Sequence, residues 1–290
     1  MGDELTRARV DTVDLLFGSI NARLDGSPLV MMLDVDGTLA PIAPTPAEAG
    51  VPAATREILR RLVGQPNVVA ALVSGRAVAD AWKIAGVDGM WVIGNHGVEW
   101  RTPSGEISAS AEAIEFEAVI ERASELLRPL EQGARGTLIE NKRWTLSVHF
   151  RLVSERETAQ VIARAEEVAR RLGLRTTRGK KIVELRPAIG VNKGTAAVEF
   201  AEQHGAFASH GSVLYAGDDR TDEDALRELR ARSPRAVTVR IGGDDGDDDG
   251  DTETSAEFVL ESPEQLRRVL EWLVTRRANL ARGIARASAP

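Results

Sequence analysis

Short apolar runs alternate with helical periodicities along most of this chain. Residues 29–33 (LVMML), 68–73 (VVAALV), 90–93 (MWVI), 213–216 (VLYA) and 236–241 (AVTVRI) read as strands, and 258–260 (FVL) as a further short one. The first two have no polar face, and such strands belong inside a parallel sheet covered by helices on both sides. Val13, Leu16, Phe17, Ile20 and Leu24 recur at helical spacing, predicting an amphipathic helix over 5–24 that Pro28 ends. Helices are also predicted over 55–63, 77–85, 192–204 (capped by Asn192) and 221–229, with acids in the first turn of the last. Ser262-Pro263-Glu264-Gln265 opens a final helix, and the residues after Arg276 read as a loosely held tail. Strands alternating with helices in this way imply βαβ units and an α/β fold built on a parallel sheet.

The pattern changes in the middle of the chain. Residues 98–107 read as a hairpin turning at Pro103-Ser104-Gly105, and 111–127 as one long helix. Alternating strands follow at 137–141 and 145–151, then a helix over 153–172, then a hairpin of 174–177 and 182–185 with Gly179 in its turn. Helix–strand–strand occurs twice, which is α+β patterning inside an α/β frame. The expected organisation is an N-terminal helix (1–26), a core domain (27–106 and 188–275), an inserted domain (107–187) and a tail (276–290).

Composition narrows the functional classes. The 290 residues include no cysteine, which excludes disulfides and thiolate metal sites and suits a reducing compartment. The N-terminus lacks the basic-then-apolar signature of a signal peptide, and no apolar run approaches membrane-spanning length, so a cytoplasmic location is expected. The formal charge is −7, but six aspartates lie in 244–251 and the rest of the chain is nearly neutral. Net charge therefore points to neither a nucleic-acid nor a membrane partner. Asp245-x-Asp247-x-Asp249-Gly250 begins like a calcium loop, but its twelfth position would be Ala256, so 242–256 reads as a solvated loop. The four histidines show no metal-ligand spacing, so zinc is not expected.

Candidate chemistry lies at strand ends. Asp34 and Asp36 follow the first strand, Ser74 follows the second and Asp218/Asp219 follow the fourth, while Lys193 sits in the first turn of a helix. In open α/β sheets the carboxyl ends of strands are where ligands bind. Each residue also has a plainer reading: Asp-Gly as a turn, Ser74 as a helix cap, Lys193 as a solvated first-turn residue, Asp222 as a dipole-favouring acid and His149 as a structural histidine. Jointly they describe a phosphoryl-transfer site. A hard divalent cation with oxygen ligands, such as Mg²⁺, relieves the repulsion between the acids, and a carboxylate can act as nucleophile.

The blocks DVDGTL, VSGR, Lys193 and GDDRTDED resemble the four motifs of the haloacid-dehalogenase-like phosphohydrolases. With GNHGVE (94–99), ENK (140–142), HFR (149–151) and VELRP (183–187), the chain most resembles the trehalose-6-phosphate phosphatases over about residues 29–229. The resemblance implies a Rossmann-like core with an inserted α+β (C2-type) cap. It implies Asp34 as nucleophile and Asp36 as proton donor and acceptor. Mg²⁺ would be held by Asp34, the backbone carbonyl of Asp36 and Asp218. Ser74, Gly75 and Lys193 would bind the phosphoryl group, with Asp219 and Asp222 supporting that shell. Glu140, Lys142 and Glu184 would grip sugar hydroxyls, and Arg76, Asn95 and His96 would line the rim. It also implies trehalose 6-phosphate as the small-molecule substrate and a functional link to trehalose-phosphate synthase. The same core could serve sucrose 6-phosphate or a mannosyl phosphoglycerate, or act as a silent sugar-phosphate sensor; the intact set Asp34, Asp36, Lys193 and Asp218 argues against the last.

Overall fold

The computed structural model describes residues 12–179, 181–242 and 254–287. Its helices are α1 (Thr12–Ile20), α2 (Ala53–Val63), α3 (Val78–Ala85), α4 (Ala111–Ile114), α5 (Glu117–Leu127), α6 (Pro129–Gly133), α7 (Glu155–Leu172), α8 (Lys193–Gln203), α9 (Arg220–Arg232) and α10 (Pro263–Ala287). The strands are β1 (Leu29–Leu33), β2 (Val68–Val73), β3 (Trp91–Gly94), β4 (Glu99–Arg101), β5 (Ile107–Ala109), β6 (Leu138–Asn141), β7 (Leu146–His149), β8 (Arg175–Gly179), β9 (Ile182–Arg186), β10 (Ser212–Gly217), β11 (Val237–Ile241) and β12 (Phe258–Leu260).

Eight strands form one sheet in the order β12-β11-β10-β1-β2-β3-β4-β5, parallel from β12 to β3 and antiparallel beyond. All five residues of β1 are buried, as a strand covered on both faces requires. Alternate residues feed two cores: Leu29, Met31 and Leu33 pack with α1, α2, α3 and α10, while Val30 and Met32 pack with α8 and α9. The chain steps from β1 to β2 and β3 on one side, then returns to β10 on the other. That reversal makes the β1/β10 boundary a topological switch point, where open α/β sheets form their ligand crevice.

The other four strands form a separate antiparallel sheet, β6-β7-β9-β8, backed by α5 and α7 with a core of its own. The hairpin expected over 98–107 is the β4–β5 pair at the edge of the large sheet, so Ile107–Ala109 pairs with that sheet rather than with the insertion. The single helix expected over 111–127 is broken at Phe116 because its apolar stripe changes the layer it faces. Ala113 packs with Val98 and Trp144, whereas Ile120, Ala123 and Leu127 pack in the smaller core. Gly179 ends β8 rather than occupying the turn.

The stretch after Arg276 is not a loose tail: α10 continues to Ala287. Arg276 pairs with Asp25 through two donors, Arg277 donates to the carbonyls of Gly26 and Pro66, and Trp272 stacks on Phe17. The predicted helix over 5–24 appears as α1 followed by a short 3₁₀ turn, its first residues lying outside the described ones. The reading of 242–256 as a solvated loop falls mostly on 243–253, also outside them. No helix among the described residues is long and apolar enough to cross a membrane.

Candidate active site

Asp34 is the first residue beyond β1, and its N–H donates to the Ala216 carbonyl of β10 at 2.9 Å, so backbone pairing fixes its place at the switch point. Asp218 leaves β10 beside it. The chain turns away from Asp34 at Gly37 (φ +84°), where a Cβ would lie 1.9 Å from Asp218 Oδ2. Only glycine lets that turn pass so close to the second acid. Thr38 Oγ1 approaches Asp218 Oδ1 at 3.4 Å.

Lys193 opens α8 behind an Asn192/Thr195 capping box. Its Nζ donates to Asp34 Oδ1 and Asp222 Oδ1, both at 2.8 Å, and lies 3.7 Å from Asp219 Oδ1. Burial opposes its charge, but Asp219, Asp222 and Asp34 outweigh burial and hold the ammonium pKa well above its usual value. Burial pushes Asp34 well up despite Lys193, with Asp218 and Asp219 adding to the effect. One ammonium cannot neutralise four neighbouring carboxyls.

Asp222 has both oxygens engaged. Oδ1 accepts from Lys193 and Tyr215, and Oδ2 from the N–H groups of Asp218 and Asp219, at 2.6–3.1 Å. Asp219 caps α9. Burial pushes the Asp218 pKa well up too, with Asp219 and Asp222 adding to the effect. Carboxylate oxygens of Asp34, Asp218 and Asp222 come within 4.8 Å of one another. Oxygen-only donors carrying excess charge fit a hard divalent cation, with Asp34 and Asp218 as the available ligands and Asp222 committed to positioning.

Ser74 is buried at the end of β2, and its Oγ accepts from the Arg76 N–H at 3.2 Å. The Arg76 guanidinium grips both oxygens of Asp36 (2.6 and 2.8 Å) and also holds Asp80 (2.6 Å). Asp36 thus presents its carboxylate to Arg76 rather than to the acid cluster, which leaves only its backbone carbonyl for the metal role that the resemblance implied.

The smaller sheet reaches this edge through side chains of β9 and the β6–β7 turn. Lys142 Nζ donates to the Gly75 carbonyl at 2.9 Å and to Glu184 Oε1 at 2.7 Å. The other oxygen of Glu184 pairs with His96 Nε2. Burial tends to raise the Glu184 pKa, but His96, Lys142 and Arg186 hold it well below the usual range. Burial lowers the His96 pKa, though Glu184 opposes this. Glu140 pairs with His149 at 2.8 Å, which gives His149 a partner in the smaller sheet.

The architecture is that of the haloacid dehalogenase-like class. A hydrolase of this class from Bacteroides thetaiotaomicron superposes with a TM-score of 0.58 at 15% identity, covering 84% of this chain and 98% of that one. A solved protein described as related to trehalose-6-phosphate phosphatase superposes with a TM-score of 0.71 at 27% identity, covering 85% and 97%. The family profile described as trehalose-phosphatase matches residues 32–264, and the chain belongs to that family. It is 32% identical over 274 residues to the trehalose-phosphate phosphatase of Mycolicibacterium paratuberculosis (94% of this chain, 68% of that protein). It is 33% identical over 265 residues to a probable trehalose-phosphate phosphatase of rice (88% and 70%). It also matches an uncharacterized glycosyl hydrolase of Mycobacterium tuberculosis at 35% identity over 253 residues, spanning 86% of this chain but 18% of that much longer protein.

The structure thus brings Asp34, Asp36, Ser74, Gly75, Arg76, His96, Lys142, Glu184, Lys193, Asp218, Asp219 and Asp222 to one edge. Asn95 is not on a rim. It is wholly buried, because Glu99, Thr145 and the Lys142 carbonyl use its amide group. The sequence reading did not single out Thr38, Glu99, Thr145 or Tyr215 as site residues. For Glu99 a signal existed: an acid between Val98 and Trp100 in a short strand has a desolvation cost that demands partners. Tyr215, the chain's only tyrosine, gave none beyond its place in the β10 run.

Proposed function

We propose that this chain hydrolyses trehalose 6-phosphate to trehalose and phosphate, with Mg²⁺ held by Asp34, Asp218 and the backbone carbonyl of Asp36. The observation that carries the reading is Asp34 at the switch point, 2.8 Å from the Lys193 ammonium and facing Asp218, with Lys142 and Glu184 brought over the same edge. When bound, the cation offsets negative charge on the phosphoryl oxygens. Ser74, Gly75 and Lys193 hold that group in line with Asp34. An Asp34 oxygen attacks phosphorus, the bond to the sugar oxygen breaks, and Asp36 gives that oxygen its proton. Asp36 then takes a proton from water, whose oxygen attacks the aspartyl phosphate and frees Asp34.

For Asp36 to do this, Arg76 must loosen its grip, and an anionic substrate competes for that guanidinium. Residues 110–187 act as a lid. Glu140, Lys142 and Glu184 pair with sugar hydroxyls, so a ligand lacking those hydroxyls leaves buried polar groups unpaired. The cysteine-free chain suits the cytoplasm, and its substrate ties it to the synthase that makes trehalose 6-phosphate.

Phosphate release across a sugar-phosphate panel tests the reading. Trehalose 6-phosphate is expected to be turned over fastest, chelation with EDTA to stop turnover, and added Mg²⁺ to restore it. Equal rates on sucrose 6-phosphate, or undiminished activity in EDTA, would overturn it. Glu184→Ala is expected to raise KM for trehalose 6-phosphate roughly 10- to 100-fold, because it removes a charged hydrogen-bonding partner. The same variant should change p-nitrophenyl phosphate turnover by less than about threefold; matched losses on both substrates would remove Glu184 from sugar recognition.

A further inference from the structure

Asn95 stands at an unusual place in the backbone. It and His96 are consecutive non-glycine residues with left-handed φ (47° and 58°), a conformation asparagine tolerates better than most. The conformation is held from outside: Asn95 N–H donates to the Arg76 carbonyl at 2.8 Å, and His96 N–H to the Ser74 carbonyl at 3.0 Å. Such strain persists only where surrounding structure enforces it, and it concentrates at functional sites.

The side chain explains what the conformation achieves. Asn95 Nδ2 donates to Glu99 Oε1 at 2.7 Å and to the Lys142 carbonyl at 3.2 Å, and Oδ1 accepts from Thr145 Oγ1 at 2.7 Å. Glu99 is itself fixed by the N–H of Val78, the first residue of α3, at 2.9 Å. Lys142 and Thr145 close the β6–β7 turn, where Lys142 N–H donates to the Thr145 carbonyl at 2.9 Å. Trp144, between them, is buried against Val98, the residue before β4, and Ala113 of α4. Both donors and the acceptor of the Asn95 amide are thus used by protein groups, which leaves it no direct contact to offer a substrate. The turn it grips carries Lys142, whose ammonium bridges Gly75 and Glu184.

We propose that Asn95, oriented by Glu99, is a positioning residue. Its buried amide latches the Lys142–Thr145 turn to the core and so places Lys142 and Glu184 over the phosphoryl site. Its kinetic consequence rests on the sugar-phosphate reading above; the latch itself does not. Wild type, three single variants and one double variant test it; the single variants are Thr145→Val, Thr145→Ser and Asn95→Gly, the last removing the amide while suiting the left-handed backbone. Without substrate, hydrogen–deuterium exchange of peptides covering residues 138–149 should be roughly tenfold faster in Thr145→Val and Asn95→Gly, because each leaves a buried partner unpaired. Thr145→Ser, which keeps the hydroxyl, should match wild type.

With substrate, KM for trehalose 6-phosphate should rise roughly tenfold in the first and last variants, while kcat for p-nitrophenyl phosphate stays within about twofold. The double variant Asn95→Gly/Thr145→Val should be no worse than the more affected single one, since both lose the same bond. Unchanged exchange in Thr145→Val, or equal kinetic losses on both substrates, would overturn the latch. Altered exchange in a wild-type background that releases no phosphate from trehalose 6-phosphate would uphold the latch and remove the substrate reading instead.

Discussion

Asp34→Asn is expected to lower phosphate release from trehalose 6-phosphate by roughly 10⁴-fold or more, the scale at which removal of a nucleophile is felt. The side chain keeps its shape and loses its charge, and a neutral amide cannot form the acyl phosphate. Folding should survive. The backbone bond from residue 34 to Ala216 does not involve the side chain, and Lys193 keeps Asp222 at 2.8 Å. The substitution also removes one of four acids gathered around a single ammonium, so stability should hold or rise. A circular dichroism melt and a phosphate-release assay on the same preparation check both halves. A variant within tenfold of wild type would mean that another group attacks phosphorus.

How far the sequence could be read is seen in β2 and in Asp36. VVAALV has apolar residues on both faces and turn residues at its end, and the strand is observed over Val68–Val73 as that pattern requires. Asn192 likewise marked the start of α8, and with it the place of Lys193. Periodicity reports whether an element is covered, so it found the sheet and the residues at its edge. It carries no information on which oxygen meets which donor across a hundred residues of chain.

That is why Asp36 and Asp34, two positions apart, part company. One turns to Arg76, 40 residues on, and the other to Lys193, 159 residues on. The same limit put Asn95 on the rim rather than in the interior, because its partners lie on β4 and on the β6–β7 turn. It also hid the break at Phe116, where a single apolar stripe serves two different cores. The helix past Arg276 was missed because its anchors, Asp25 and the Gly26 and Pro66 carbonyls, are remote in sequence.

Lys193→Met should cost about 3–5 kcal/mol of stability at neutral pH, the range seen when one partner of a buried ion pair is removed. Methionine fills most of the volume, so the loss is electrostatic rather than a cavity effect. Lys193 is 1% exposed, and without it Asp34, Asp218, Asp219 and Asp222 face one another with no ammonium among them. The pH dependence has a definite sign. Burial raises the native pKa values of Asp34 and Asp222, and Lys193 opposes the rise in both. Without the lysine both rise further, so the native state holds more protons than the unfolded chain across a wider span above the ordinary carboxylate range. Stability then falls as pH rises through that span. The deficit against wild type should be largest at neutral and alkaline pH and should shrink as pH falls toward about 5. Urea melts at several pH values measure this. Added Mg²⁺ should recover part of the loss at pH 7, since a cation bound only by the native state stabilises it. A variant as stable as wild type at neutral pH, or a deficit that grows on acidification, would mean that the acid cluster is neutralised by some group other than Lys193.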